Sequence, residues 1–88
     1  MKVEQQKTLD GNGHSVEVGA ATWDANARSV RNRYTTASGG FSPRSSSEVP
    51  MGDLAPMIEL VAENDELSVA DCARIIKALS ESIVRQTK

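Results

Sequence analysis

The residues with the widest chemical reach lie close together. Trp23, Tyr34 and Phe41 are the chain's only Trp, Tyr and Phe, and they alternate with Arg28, Arg31, Arg33 and Arg44. Residues 25–47 carry those four arginines and no acid, together with Ser45, Ser46, Ser47 and the pair Gly39-Gly40. Guanidinium forks, hydroxyls, free backbone N–H groups and flat apolar faces in one segment suit an anionic or nucleotide-like partner. On a strand, Arg31 and Arg33 project from the same face, so two guanidinium groups can clasp one phosphate while Tyr34 points the other way. Arg28, Arg31, Arg33 and Arg44 are therefore the candidate charge partners, Ser45, Ser46 and Ser47 the candidate hydroxyl donors, and Tyr34 and Phe41 the candidate stacking platforms. Set against this is a solvated Arg/Ser loop over a small core of Trp23, Tyr34 and Phe41.

Charge is distributed as acidic, basic, acidic. Residues 1–24 hold two Lys against four acids, residues 25–47 four Arg against none, and residues 48–88 four bases against eight acids, which gives −2, +4 and −4 and the net −2 of the chain. A basic segment between acidic ones can be neutralised within the protein or face an external anion, and internal complementarity needs no ligand.

Catalytic and metal templates fail. One His and one Cys cannot provide the ligands of a catalytic or structural zinc site, and no disulfide framework is possible within a chain of one cysteine. Gly39 to Ser45 lacks the Lys-Ser/Thr ending of a phosphate loop. Asp10-Gly11-Asn12-Gly13 has its glycine too early for a calcium loop, and Ala21 stands where the closing acid belongs. No orienting acid or oxyanion donor accompanies His14, and Cys72 falls on an apolar helical stripe as a small core residue. No catalytic residue, metal or cofactor is assigned.

The C-terminal part carries the clearest structural pattern. Asp53 is read as an N-cap, with Pro56 in the first turn and Leu54, Met57, Ile58 and Val61 on one helical face. After Asn64-Asp65-Glu66, Ser68 caps a second helix with Asp71 in the capping-box position and Leu67 stapled to Cys72. Its stripe is Val69, Cys72, Ala73, Ile76, Leu79 and Ile83, so residues 53–86 form a helical hairpin. Earlier signals are weaker. Asp10 to Gly13 is a turn, Val16 and Val18 mark a short strand, and residues 25–35 fit either a strand paired across Asp24-Ala25-Asn26 or a short helix capped by Asp24.

The expected protein is one small domain over 1–88, α+β or mainly α: residues 1–13 free to be disordered, 14–49 irregular or short β with a basic loop, and 53–86 the hairpin. With so few large side chains the core is thin, and a homo-oligomer is expected to complete it. No run approaches the ~20 apolar residues of a membrane span, and a cytoplasmic setting is the default. The preferred function is non-enzymatic binding of a phosphorylated small molecule or nucleotide. The alternative is a protein-interaction module, a small inhibitor or adaptor acting on a protein target. Nucleic-acid binding ranks below both, because the helical part is acidic.

Overall fold

The computed structural model describes residues 1–11, 13–43 and 46–88. The chain divides into two compact units, Met1–Leu54 and Ala55–Lys88.

The first unit is an antiparallel meander of four strands in sheet order β1-β2-β3-β4: β1 (Lys2–Thr8), β2 (Ser15–Ala20), β3 (Arg28–Arg33) and β4 (Ser47–Pro50). A mainly helical fold is thereby overturned, and the chain is α+β with its strands N-terminal and its helices C-terminal. For residues 14–49, expected to be irregular or short β with a basic loop, three strands are found, β2, β3 and β4. Residues 28–33 take the strand alternative, pairing Val18 with Val30 and Glu17 with Arg31. The turn between them is set by Asp24, whose Oδ1 accepts from Asn26 N at 2.9 Å while its carbonyl accepts from Ala27 N at 3.0 Å.

Two strands lie where hydropathy gives no alternation. β1 pairs antiparallel with β2, with a register shift between Val3 and Gln5. Gly19 makes that approach possible, since a Cβ there would stand 1.8 Å from the Lys2 carbonyl oxygen. β4 pairs with β3 over Ser29–Asn32 and ends at Pro50, whose missing N–H is tolerated at the end of an edge strand.

The sheet has two unlike faces. Along β2, Ser15, Glu17 and Gly19 are buried and Val16, Val18 and Ala20 half-buried, so the more deeply covered side is the polar one. The opposite face carries the row Val18, Val30 and Val49, aligned across three strands.

The second unit is helical. A single 3-10 turn, Met51–Asp53, runs into α1 (Leu54–Glu63), so Asp53 belongs to the turn instead of capping α1, and Pro50 stands at its N-terminus without a side-chain cap. α1 ends in a Schellman motif: Asp65 takes the left-handed conformation (φ 56°), Glu66 N donates to Val61 O at 3.0 Å and Asp65 N to Ala62 O at 3.1 Å. α2 (Val69–Gln86) starts at Ser68, whose Oγ accepts from Asp71 N at 3.0 Å as the spacing predicts. Ile58 and Ala62 of α1 meet Leu67, Cys72, Ile75, Ile76 and Leu79 around a cavity of about 200 Å³. Neither helix buries a single residue. Among the described residues no helix is long and apolar enough to cross a membrane.

Candidate functional site

Strand register sends the four arginines to different places. Arg28 opens β3 opposite Ala20 and turns its guanidinium to Glu4, an exposed pair. Arg31 and Arg33 share the other face, as the two-residue spacing predicts, but what they clasp is a carboxylate of the protein itself. Glu17 Oε1 accepts from Arg31 Nε at 2.8 Å and lies 2.7 Å from Arg31 Nη2, and Arg33 Nε stands 3.9 Å from the same oxygen. The Glu17 side chain is only 5% exposed and that of Arg31 14%. Burial of this kind is tolerated because the charges face each other. Arg33 keeps more contact with water, 27%, and at 3.9 Å its guanidinium is an ion-pair neighbour of Glu17 without a hydrogen bond to it.

Phe41 completes the cluster. It bridges Thr35 outside the named strands, and its ring lies under both guanidinium groups, 4.5 Å from Arg31 Cζ and 5.7 Å from Arg33 Cζ. Stacking of this geometry fixes planar cations over an aromatic face. Phe41 therefore meets arginines of its own chain.

Tyr34 points to the opposite side, where it stacks on His14 with ring centroids 4.2 Å apart and planes 11° from parallel. His14 Nε2 is also hydrogen-bonded to Asn32 Oδ1. Trp23 belongs to the β2–β3 turn and is 53% exposed. The three aromatic residues thus occupy separate places, and the small core expected of them is not formed.

The serines divide likewise. Ser46 Oγ accepts from Tyr34 N at 3.0 Å and donates to Tyr34 O at 3.3 Å, tying the loop to the end of β3. Ser47 begins β4 opposite Asn32. Arg44 and Ser45 lie outside the described residues.

A second acid on this sheet escaped sequence reasoning. Glu48, cross-strand from Arg31, accepts at Oε1 from the Ser29 hydroxyl at 2.7 Å and from Thr22 N at 3.0 Å. Partial burial works to raise its pKa, but the hydrogen bonds from Thr22 and Ser29 outweigh it and hold the carboxyl below the ordinary glutamate range. Ser29 itself is fully buried. The signal available was the small-residue alternation Ser15, Gly19 and Ala21 around Glu17, which marks a face built for a polar, closely packed neighbour.

Chemically the cluster is two guanidinium groups around one buried carboxylate, Glu17, with Glu48 held separately by Ser29 and Thr22. Among the described residues, no three of His, Cys, Asp and Glu converge as metal ligands. Comparison with protein-family models, with curated proteins and with solved structures gives no match.

The remaining exposed chemistry is apolar and helical. Met57 and Leu60 of α1 are 50% and 61% exposed, and Val69, Ile76, Leu79, Ile83 and Val84 of α2 range from 53% to 88%. Cys72, Ile75, Ile76 and Leu79 border the cavity shared with α1, whereas Val69 and Ile83 do not line it; Ile76 reaches the cavity and still leaves most of its surface exposed. The stripe read from sequence is only partly covered: Cys72, Ile76 and Leu79 border the cavity with α1, and Val69 and Ile83 stay open.

Proposed function

We propose that the protein is a non-enzymatic protein-interaction module whose binding surface is the apolar side of its C-terminal helices. One observation carries this reading: two helices with a strong amphipathic pattern bury none of their residues while exposing Met57, Leu60, Val69, Ile76 and Ile83. Contiguous apolar surface on a helix face gains free energy only when another surface covers it, and amphipathic helices offer their i, i+3, i+4 and i+7 residues to such partners. The arginine cluster, tied to Glu17 and Phe41, is read as part of the scaffold.

The test is affinity capture with the full chain and with Ile76→Asp and Lys77→Ala. A partner retained by the parent and by Lys77→Ala but lost from Ile76→Asp supports the reading. Equal capture by all three removes the helical face from it.

A second reading, binding of a phosphorylated small molecule or nucleotide, is favoured by one feature. Arg33 is held near Glu17 without a hydrogen bond to it and lies over the half-exposed Phe41 ring. Calorimetry with mono-, di- and cyclic nucleotides tests it, with Arg33→Ala expected to weaken any binding about tenfold or more.

A further inference from the structure

An exposed ridge of α2, whose central residue Ile76 also borders the cavity with α1, has a sequence regularity of its own. Val69, Ile76 and Ile83 recur every seven residues, and between them Ala73 and Ser80 recur at the same interval, so the ridge reads large, small, large, small, large in strict 4-3 spacing. That is the seam spacing of paired helices. All five residues are exposed, the large ones at 88%, 65% and 62%.

We infer that this ridge is occupied by α2 of a second copy of the chain, packed antiparallel about a two-fold axis near residue 78. The inference rests on the reading of the helical face as a binding surface and names its partner. Size alternation supplies the reason. In an antiparallel pair centred there, Ile76 lies opposite Ser80 of the second copy and Ala73 opposite its Ile83, and the two-fold repeats both layers in reverse. Every layer then joins a large side chain to a small one and lets the backbones approach closely. A parallel pair would instead stack Ile on Ile and Ala on Ala, alternating crowding with voids. A two-fold interface must be self-complementary in this way, residue i meeting j and j meeting i.

Charge and area agree. No charged residue occupies the ridge. Asp71, Arg74, Glu81 and Arg85 fall on other faces of the helix, Arg74 pairs with Asp71 at 3.0 Å, and Lys77, which flanks the ridge, has Glu81 of its own helix at 4.0 Å. The exposed parts of Val69, Ile76 and Ile83, with those of Leu79 and Val84 flanking the ridge on either side, amount to roughly 500 Å², within the range of the largest patch that monomeric proteins show. Two such faces together reach about 1,000 Å², the lower bound of area for a specific interface.

Sedimentation equilibrium of the full chain tests the inference. The parent is expected to be a dimer of about 19 kDa, twice the 9.5 kDa chain. Ser80→Ile opposes two isoleucines in both central layers, and Ile76→Ser leaves two serines facing each other. Each should raise the dissociation constant about tenfold or more. The exchange of both residues, Ile76→Ser with Ser80→Ile, restores a large residue opposite a small one and should recover the parent's dissociation constant to within a few-fold. Circular dichroism on each variant separates lost pairing from lost helix. A parent that is monomeric at about 100 µM overturns the second copy as partner, yet leaves the interaction module standing for a partner of different sequence. A dimer indifferent to both single substitutions, or one that the double exchange fails to rescue, overturns the antiparallel seam.

Discussion

At the scale of single residues, the cross-strand pair of Glu17 and Arg31 governs the behaviour of the polar face. Both side chains are largely withdrawn from water, so removing one leaves the other's charge uncompensated. Glu17→Gln should destabilise the sheet by about 3 kcal/mol in urea denaturation. Arg33→Ala, at 3.9 Å and with more solvent contact, should cost less than about 1 kcal/mol. Equal costs for the two would mean that Glu17 is held by both guanidinium groups alike. Glu48 gives the pH dependence. Its folded pKa lies below the ordinary value, so its contribution is fully present above the ordinary glutamate range and is lost as pH falls through the folded pKa. Stability should decline below about pH 4.3, and Glu48→Gln should flatten that decline in a series of denaturation curves. The spacing of Arg31 and Arg33 was enough to place them on one face. The identity of their counter-ion was not legible, because Glu17 is fourteen residues away from Arg31 and meets it only through strand register.

At the scale of elements, local signals succeed where one residue type has one structural job. Ser68 caps α2, the Asp24 turn joins β2 to β3, and the alternation of Val16 with Val18 marks β2. Local signals fail at the sheet edges. β1 reads KVEQQKT, with one valine and no alternation, and every one of its residues is exposed. Its strand conformation comes from the hydrogen-bonding edge that β2 offers. β4 is four residues long and is likewise specified by pairing with β3. In α2 the stripe was legible but its depth of cover was not: Ile75, half-buried beside α1, falls outside the predicted stripe, while the predicted Ile76 borders the same cavity and stays largely exposed. Two substitutions test these assignments. Ser68→Ala removes the acceptor of Asp71 N and should cost about 1 kcal/mol in thermal melts followed by the helical circular-dichroism signal. Gly19→Ala places a methyl group into the Lys2 carbonyl, so β1 must shift, with an expected loss of roughly 1–3 kcal/mol and faster amide exchange along β1. Unchanged exchange in β1 would show that the strand accommodates the methyl group.

At the scale of the whole molecule, the helical unit sets the requirement that the rest must answer. Ala55–Lys88 has caps at its turns and an apolar cavity between its helices, but no buried residue. Ordering its backbone costs on the order of 1 kcal/mol per residue, and half-exposed side chains return only part of that. A covering surface supplies the rest. If a second copy provides it, the seam residues are accessible in the dilute monomer and shielded in the concentrated dimer, while the turn residue Trp23 keeps the same exposure throughout. Hydroxyl-radical footprinting of the full chain over a concentration series reads this directly, residue by residue. Labelling of Ile76 and Ile83 should fall several-fold as concentration rises through the dissociation constant, with Trp23 labelled equally at every concentration. Labelling of Ile76 and Ile83 that stays high and constant across the series would contradict the second copy as the surface covering α2.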